Sequence, residues 1–154
     1  MKRRISPTAL TLAWFRKRGI AARVTERWVK TPAGGFRRDI FGGDLLALLR
    51  TEIVNVQAGS GAHHAEKIRK AVAHPDVRKW LTAPTRKFWI MTWTQRAAFN
   101  KSGARRKKDR WTPRVTTLSL VAGKILANDF HLSPSSAPKM HHTATVTSAK
   151  IQSR

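Results

Sequence analysis

Two oxygen-bearing side chains carry the first chemical signal in this chain. Asp44 follows a glycine pair, Gly42-Gly43, and opens an apolar run from Leu45 to Leu49. Gln57 closes a second run, Glu52 to Gln57, in which Ile53, Val54 and Val56 are β-branched. Both runs suit buried strands, and Arg50-Thr51 between them suits a tight turn. Folded as a hairpin, the strands set Asp44 beside Gln57 at one sheet edge. Such oxygens, flanked by Arg37 and Arg38, suit a divalent cation held against a phosphate, because hard cations take oxygen ligands. The backbone carbonyl of Ala58 offers a third oxygen. Glu26, on the strand expected before the hairpin, is a further acid for the same site; an ion pair with Arg23 or Arg27 suits it equally. Asp39 suits a pair with Arg38 that orders the loop, or else a direct role at the metal. Asp44 itself also fits a turn acid placed after two glycines.

Composition says what those residues meet. The 154 residues carry 31 Lys and Arg against 8 Asp and Glu, a formal net charge of +23. That balance favours a polyanionic partner, nucleic acid above all. With so few acids, those around the hairpin carry extra weight. Hydrophobic residues make up 41% of the chain, enough for a core. No apolar run approaches the roughly 18 residues of a membrane span. The basic start MKRRIS is not followed by a signal-peptide core, so a cytoplasmic location is expected. Without cysteine there is no disulfide framework and no thiolate metal site. His63-His64 and His141-His142 are adjacent pairs whose rings diverge, and they read as surface histidines. Trp80, Trp89, Trp93 and Trp111 read mostly as core.

The elements that must position the site follow from local pattern. Ser6-Pro7 caps a helix whose core face is Leu10, Ala13 and Trp14, and Gly19 stops it. Ile20 to Val29 alternates as one strand, and Lys30 to Phe36 is a loop. After the hairpin, a helix runs from about Ala62 to Ala73. Its apolar side is Ala65, Ile68 and Val72; its polar side is His63, Lys67 and Lys70. Asp76 to Leu81 is a short second helix. Arg86 to Thr94 is apolar on both faces and suits a central strand. Asn100 to Arg110 is a loop with the basic run Arg105, Arg106, Lys107 and Lys108, a phosphate-contacting candidate. Arg114 to Leu120 is the last strand. This predicts an α/β domain over 6–120, with a small mixed central sheet of about five strands flanked by helices. Residues 121–154 read as a basic, largely disordered tail, with pattern lost from about Pro134.

The order and spacing of these segments resemble the PD-(D/E)XK nuclease superfamily, with its restriction-endonuclease-like core. The layout is similar to Holliday-junction resolvases and VRR-NUC nucleases, and to small resolvase-type proteins of bacteria and phages. Asp44 in GGDLLAL stands where the family's first acid stands. Gln57 in VNVQAGS matches its second ligand, and RRDIFG and FWIMTW match further segments. The likeness covers roughly residues 6 to 120. It implies a Mg²⁺- or Mn²⁺-dependent endonuclease, with DNA as partner and a homodimer as its assembly. One departure stands out: the family lysine belongs two residues after Gln57, and that residue is Gly59. The resemblance implies that Lys67 on the following helix has taken its place, with Lys70 the second choice. Gly59 equally fits a non-catalytic nucleic-acid-binding module on the same fold.

Whichever reading holds, DNA affinity should fall steeply with salt, since Lys and Arg release counterions from phosphates. Changing Arg105, Arg106, Lys107 and Lys108 together to Ala should flatten the slope of log K against log salt, by about 0.9 for each lost phosphate contact. An unchanged slope removes that loop from the interface.

Overall fold

The structure is a computed structural model that describes residues 5–39, 41–106 and 110–130. A six-stranded mixed sheet carries helices on both faces, an α/β architecture. Its first helix, α1 (Pro7–Lys17), begins as its sequence requires: Ser6 Oγ accepts from the Ala9 amide and proline follows the cap. The buried residues of α1 are Thr11 and Phe15, with Leu10, Leu12 and Trp14 partly covered. Ala13, expected on the core face, is exposed. The phase turns because Thr11 has polar work inside: its hydroxyl donates to the Pro7 carbonyl and accepts from Trp93 Nε1 at 2.9 Å.

The stretch expected as one strand from Ile20 to Val29 is two, β1 (Ala21–Val24) and β2 (Arg27–Thr31). The break has a cause. The amides of Thr25 and Glu26 both donate to the Asp44 carbonyl, which bends the chain out of the sheet. The expected loop after it holds a turn and β3 (Gly34–Arg38), which pairs with β2 as a separate two-stranded ribbon. Gly34 at φ +125° and the Thr31 hydroxyl on its carbonyl close the turn.

The central hairpin forms as expected, from β4 (Leu45–Leu48) and β5 (Ile53–Ser60). Along β5, Val54, Val56 and Ala58 face α1, while Asn55, Gln57 and Gly59 face the other layer. That layer is a 3-10 turn (Gly61–His63), α2 (His64–Ala73) and α3 (Pro75–Trp80), the crossover to the parallel strand β6 (Arg86–Arg96). Strand β6 is the central strand its double-sided apolarity predicts. Trp89, Met91 and Trp93 join the α1 core, and Phe88 and Ile90 join the core under α2 and α3.

Two further strands complete the sheet in the order β1-β4-β5-β6-β7-β8: β7 (Arg110–Val121) and β8 (Lys124–Phe130). Thus β8 lies in the stretch read as tail, and the folded unit passes residue 120. Its signal was weak because β8 is an edge strand, mostly exposed, with polar residues at Asn128 and Asp129. Residues 131–154 fall outside the described residues. Phe130 stacks on Trp89 with ring centroids 5.8 Å apart, and Ile125 packs on the α2 side. A chain ended after Leu120 should therefore be less stable in urea than one ended after Phe130. The expected loss is about 1 to 2 kcal/mol, since Ile125 and Phe130 are only partly covered. Equal midpoints and slopes would show that β8 contributes nothing.

Candidate metal centre

Three segments converge on Asp44. Its amide donates to the Val56 carbonyl, one residue out of the Leu45–Val56 register, so the β4–β5 pairing bulges where Asp44 enters β4. Its own carbonyl takes the Thr25 and Glu26 amides at 2.9 and 3.3 Å. Its Oδ2 accepts from the Ala58 amide at 2.8 Å. The turn before it needs its glycines. Phe41 and Gly42 have φ of +52° and +75°, and a Cβ at Gly43 would collide with the Asn55 side chain. Asn55 is fully buried and donates from Nδ2 to the Phe41 carbonyl, so it holds this turn from beneath.

The ribbon supplies two more acids. Its register pairs Arg27 with Arg38, which leaves Glu26 and Asp39 side by side at its open end. Carboxylate oxygens of Glu26, Asp39 and Asp44 lie within 4.8 Å of one another. Asp39, expected to order a loop with Arg38, is therefore part of the acidic cluster. Reading residues 27–38 as a hairpin would have revealed it. Burial above all pushes the Asp44 carboxyl up, from 3.8 to about 6. Asp39 and Glu26 push the same way, while the Ala58 amide and the Lys67 charge pull it down.

Lys67 reaches this cluster from α2. The face of α2 turned to the sheet is His64, Lys67, Ile68 and Ala71, not the expected Ala65, Ile68 and Val72; Ala65 is exposed. The Lys67 stem crosses directly over Gly59. A Cβ built on Gly59 would overlap its Cε and stand 3.3 Å from Nζ. The empty position 59 is thus the space that the Lys67 stem fills. Lys70 points away, paired with Glu66 at 2.6 Å and largely exposed.

His64 sets the phase of this helix and is buried, contrary to its reading as a surface residue. Its Nδ1 meets Thr92 Oγ1 at 2.7 Å, and its Nε2 meets Thr116 Oγ1 at 2.8 Å. Thr116 gives its one proton to Asp129, so Nε2 must carry the hydrogen and Nδ1 accepts from Thr92. Burial, then the Arg114 charge, lower the pKa of His64, which favours this neutral ring.

The remaining candidates are dispersed. Gln57 is half-buried on β5, next to Val56, whose carbonyl takes the Asp44 amide. Ala58 enters the site through its N–H; its methyl is in the α1 core. Arg38 is exposed at the ribbon base, and Arg37 lies in β3. Arg105 and Arg106 are exposed in the β6–β7 connection, well beyond the row of Gln57 along β6. Lys107 and Lys108 fall outside the described residues. No helix among the described residues is long and apolar enough to cross a membrane. No protein-family model, curated protein or solved structure matches this chain.

The raised pKa of Asp44 has a sign that can be tested. Its folded value, about 6, exceeds its ordinary 3.8, so folding favours the protonated form. The associated stability is present below about pH 4 and is lost as pH rises through about 6. In EDTA, Asp44→Asn should therefore raise urea stability at pH 7.5 by about 1 to 3 kcal/mol and leave it nearly unchanged at pH 4. A variant less stable than the parent at pH 7.5 would contradict the burial assigned to this carboxylate.

Proposed function

We propose that this chain is a metal-dependent DNA endonuclease, selective for branched structures. The reading is carried by one observation: the Lys67 stem lies over Gly59, beside the Glu26–Asp39–Asp44 cluster. Phosphodiester hydrolysis needs oxygens to hold a hard cation and a positive side chain beside the attacking water. Position 59 lacks that side chain, and α2 supplies one into the same space.

The donors fit Mg²⁺ or Mn²⁺. Mg²⁺ binds oxygens at about 2.0–2.1 Å, so two ligands across one ion are about 4.2 Å apart. Three carboxylates within 4.8 Å need only small side-chain shifts to close on it. The bound ion supplies Lewis-acid polarisation of the scissile phosphate and a more acidic attacking water. Asp44, Glu26 and Asp39 hold it, and Gln57 adds a neutral amide oxygen. The Ala58 amide fixes one Asp44 oxygen and so aims the other. Lys67 positions the water and offsets charge on the phosphate. Arg37, Arg38, Arg105, Arg106, Lys107 and Lys108 hold the nucleic-acid backbone. A junction offers two strands related by symmetry, which a homodimer matches. The cytoplasm is the proposed site of action.

The test is Mg²⁺-dependent cleavage of linear, flapped and four-way DNA. The parent should cut, and Asp44→Ala should not. Lys67→Ala should slow cutting about 10²- to 10³-fold, the usual cost of one transition-state donor, with DNA affinity within a few-fold. Lys70→Ala should leave the rate near normal. Tight binding without cutting would favour the non-catalytic module, and normal cutting by Lys67→Ala would remove that lysine from the chemistry.

A further inference from the structure

The ribbon β2–β3 pairs only with itself among the described residues. Its most prominent side chain is Trp28, 60% exposed. A tryptophan left in water forgoes a large apolar gain, so its position calls for a partner. Locally it has only a bare stretch of backbone. A Cβ at Gly35 would overlap the nitrogen-bearing edge of the indole, so the glycine lets the ring settle on the ribbon. Most of the ring still faces solvent. The ribbon is basic: Lys30 follows Trp28 on the same face, while Arg27 and Arg38, paired at the ribbon's open end, project from the other face, and all three are exposed.

Placement ties this surface to the acidic cluster. Trp28 is two residues from Glu26, about 7 Å of extended chain. That span matches about two stacked nucleotides at 3.4 Å each. An aromatic ring with a cation beside it suits an unpaired base, whose π-face stacks whatever its sequence, while the cation holds a flanking phosphate. A duplex keeps its bases inside and offers only the phosphates.

We propose that Trp28 is a stacking platform for an unpaired base of a nucleic-acid strand, with Lys30 on the same face holding a flanking phosphate and the strand running toward the ribbon's open end and the acidic cluster. This deepens the nuclease reading and rests on it for the strand's destination; binding alone does not. It also assigns the ribbon a preference: single-stranded segments, as at flaps and junctions, over plain duplex.

The test uses the full chain in EDTA, with fluorescence anisotropy of a labelled single-stranded oligonucleotide and of a duplex of equal length. Trp28→Ala should weaken single-strand binding about 5- to 100-fold, the range of one lost base stack, and change duplex binding less than about twofold. Trp28→Phe should recover most of the affinity. Equal losses on both ligands, or no loss on the single strand, overturn the platform. So does a Trp28→Ala chain that turns from dimer to monomer with single-strand affinity intact, since the indole would then be a subunit contact. A chain that binds single strands through Trp28 but never cuts keeps the platform and loses the nuclease; one that cuts with Trp28-independent binding does the reverse.

Discussion

A carboxylate drawn out of water at Asp44 is the constraint on which the rest of this structure turns. Removing that charge from solvent is costly unless donors and opposite charges replace the water. The chain supplies them from two directions: the Ala58 amide and the Lys67 ammonium. The same residue's amide ties it to β5, and its carbonyl takes the Thr25 and Glu26 amides where the chain bends between β1 and β2. Because one residue does both, the ribbon's open end is coupled to the hairpin. Glu26 and Asp39 are thereby delivered to Asp44 by main-chain bonds, which are stiffer than side-chain contacts.

The two faces of the sheet divide the labour. Under α1 the side chains are almost wholly apolar: Phe15, Leu45, Val54, Val56, Trp89 and Met91. Under α2 the strands present Asp44, Asn55, Thr92 and Thr116, each tied to a turn, a helix or a neighbouring strand. Burial of polar groups demands satisfied partners, and here those partners fix geometry. His64 pinned between two threonine hydroxyls sets the rotation of α2, and one turn later that rotation carries Lys67 over Gly59. Lysine suits this task because its apolar stem crosses the bare glycine while its charge reaches the acids.

What the sequence revealed and what it hid follow from pattern strength. The hairpin was legible because both strands are apolar and β-branched and bounded by glycines, whereas the bulge at Asp44 left no mark in the sequence. The double-sided apolar run at Phe88–Trp93 declared a central strand. The α1 cap was equally plain. The ribbon was hidden because β2 continues the alternation of β1 with no break visible in sequence, and β3, Gly-Gly-Phe-Arg-Arg, reads as loop. With it went Asp39, whose partner Glu26 is distant in sequence and adjacent only through the ribbon's register. Strand β8 was hidden by its polar, exposed composition. On α2 a histidine and a lysine occupy inward positions, so counting apolar residues gave the wrong phase, and only three-dimensional packing corrects it.

The central claim is that Glu26, Asp39 and Asp44 enclose one cation beside Lys67. Anomalous scattering from a Mn²⁺-soaked crystal tests it most directly. The account predicts a single strong peak within coordination distance of all three carboxylates, with the Lys67 ammonium alongside, and no such peak in Asp44→Asn crystals soaked alike. An empty cluster in crystals that bind Mn²⁺ elsewhere, or a peak that survives Asp44→Asn unchanged, would contradict it.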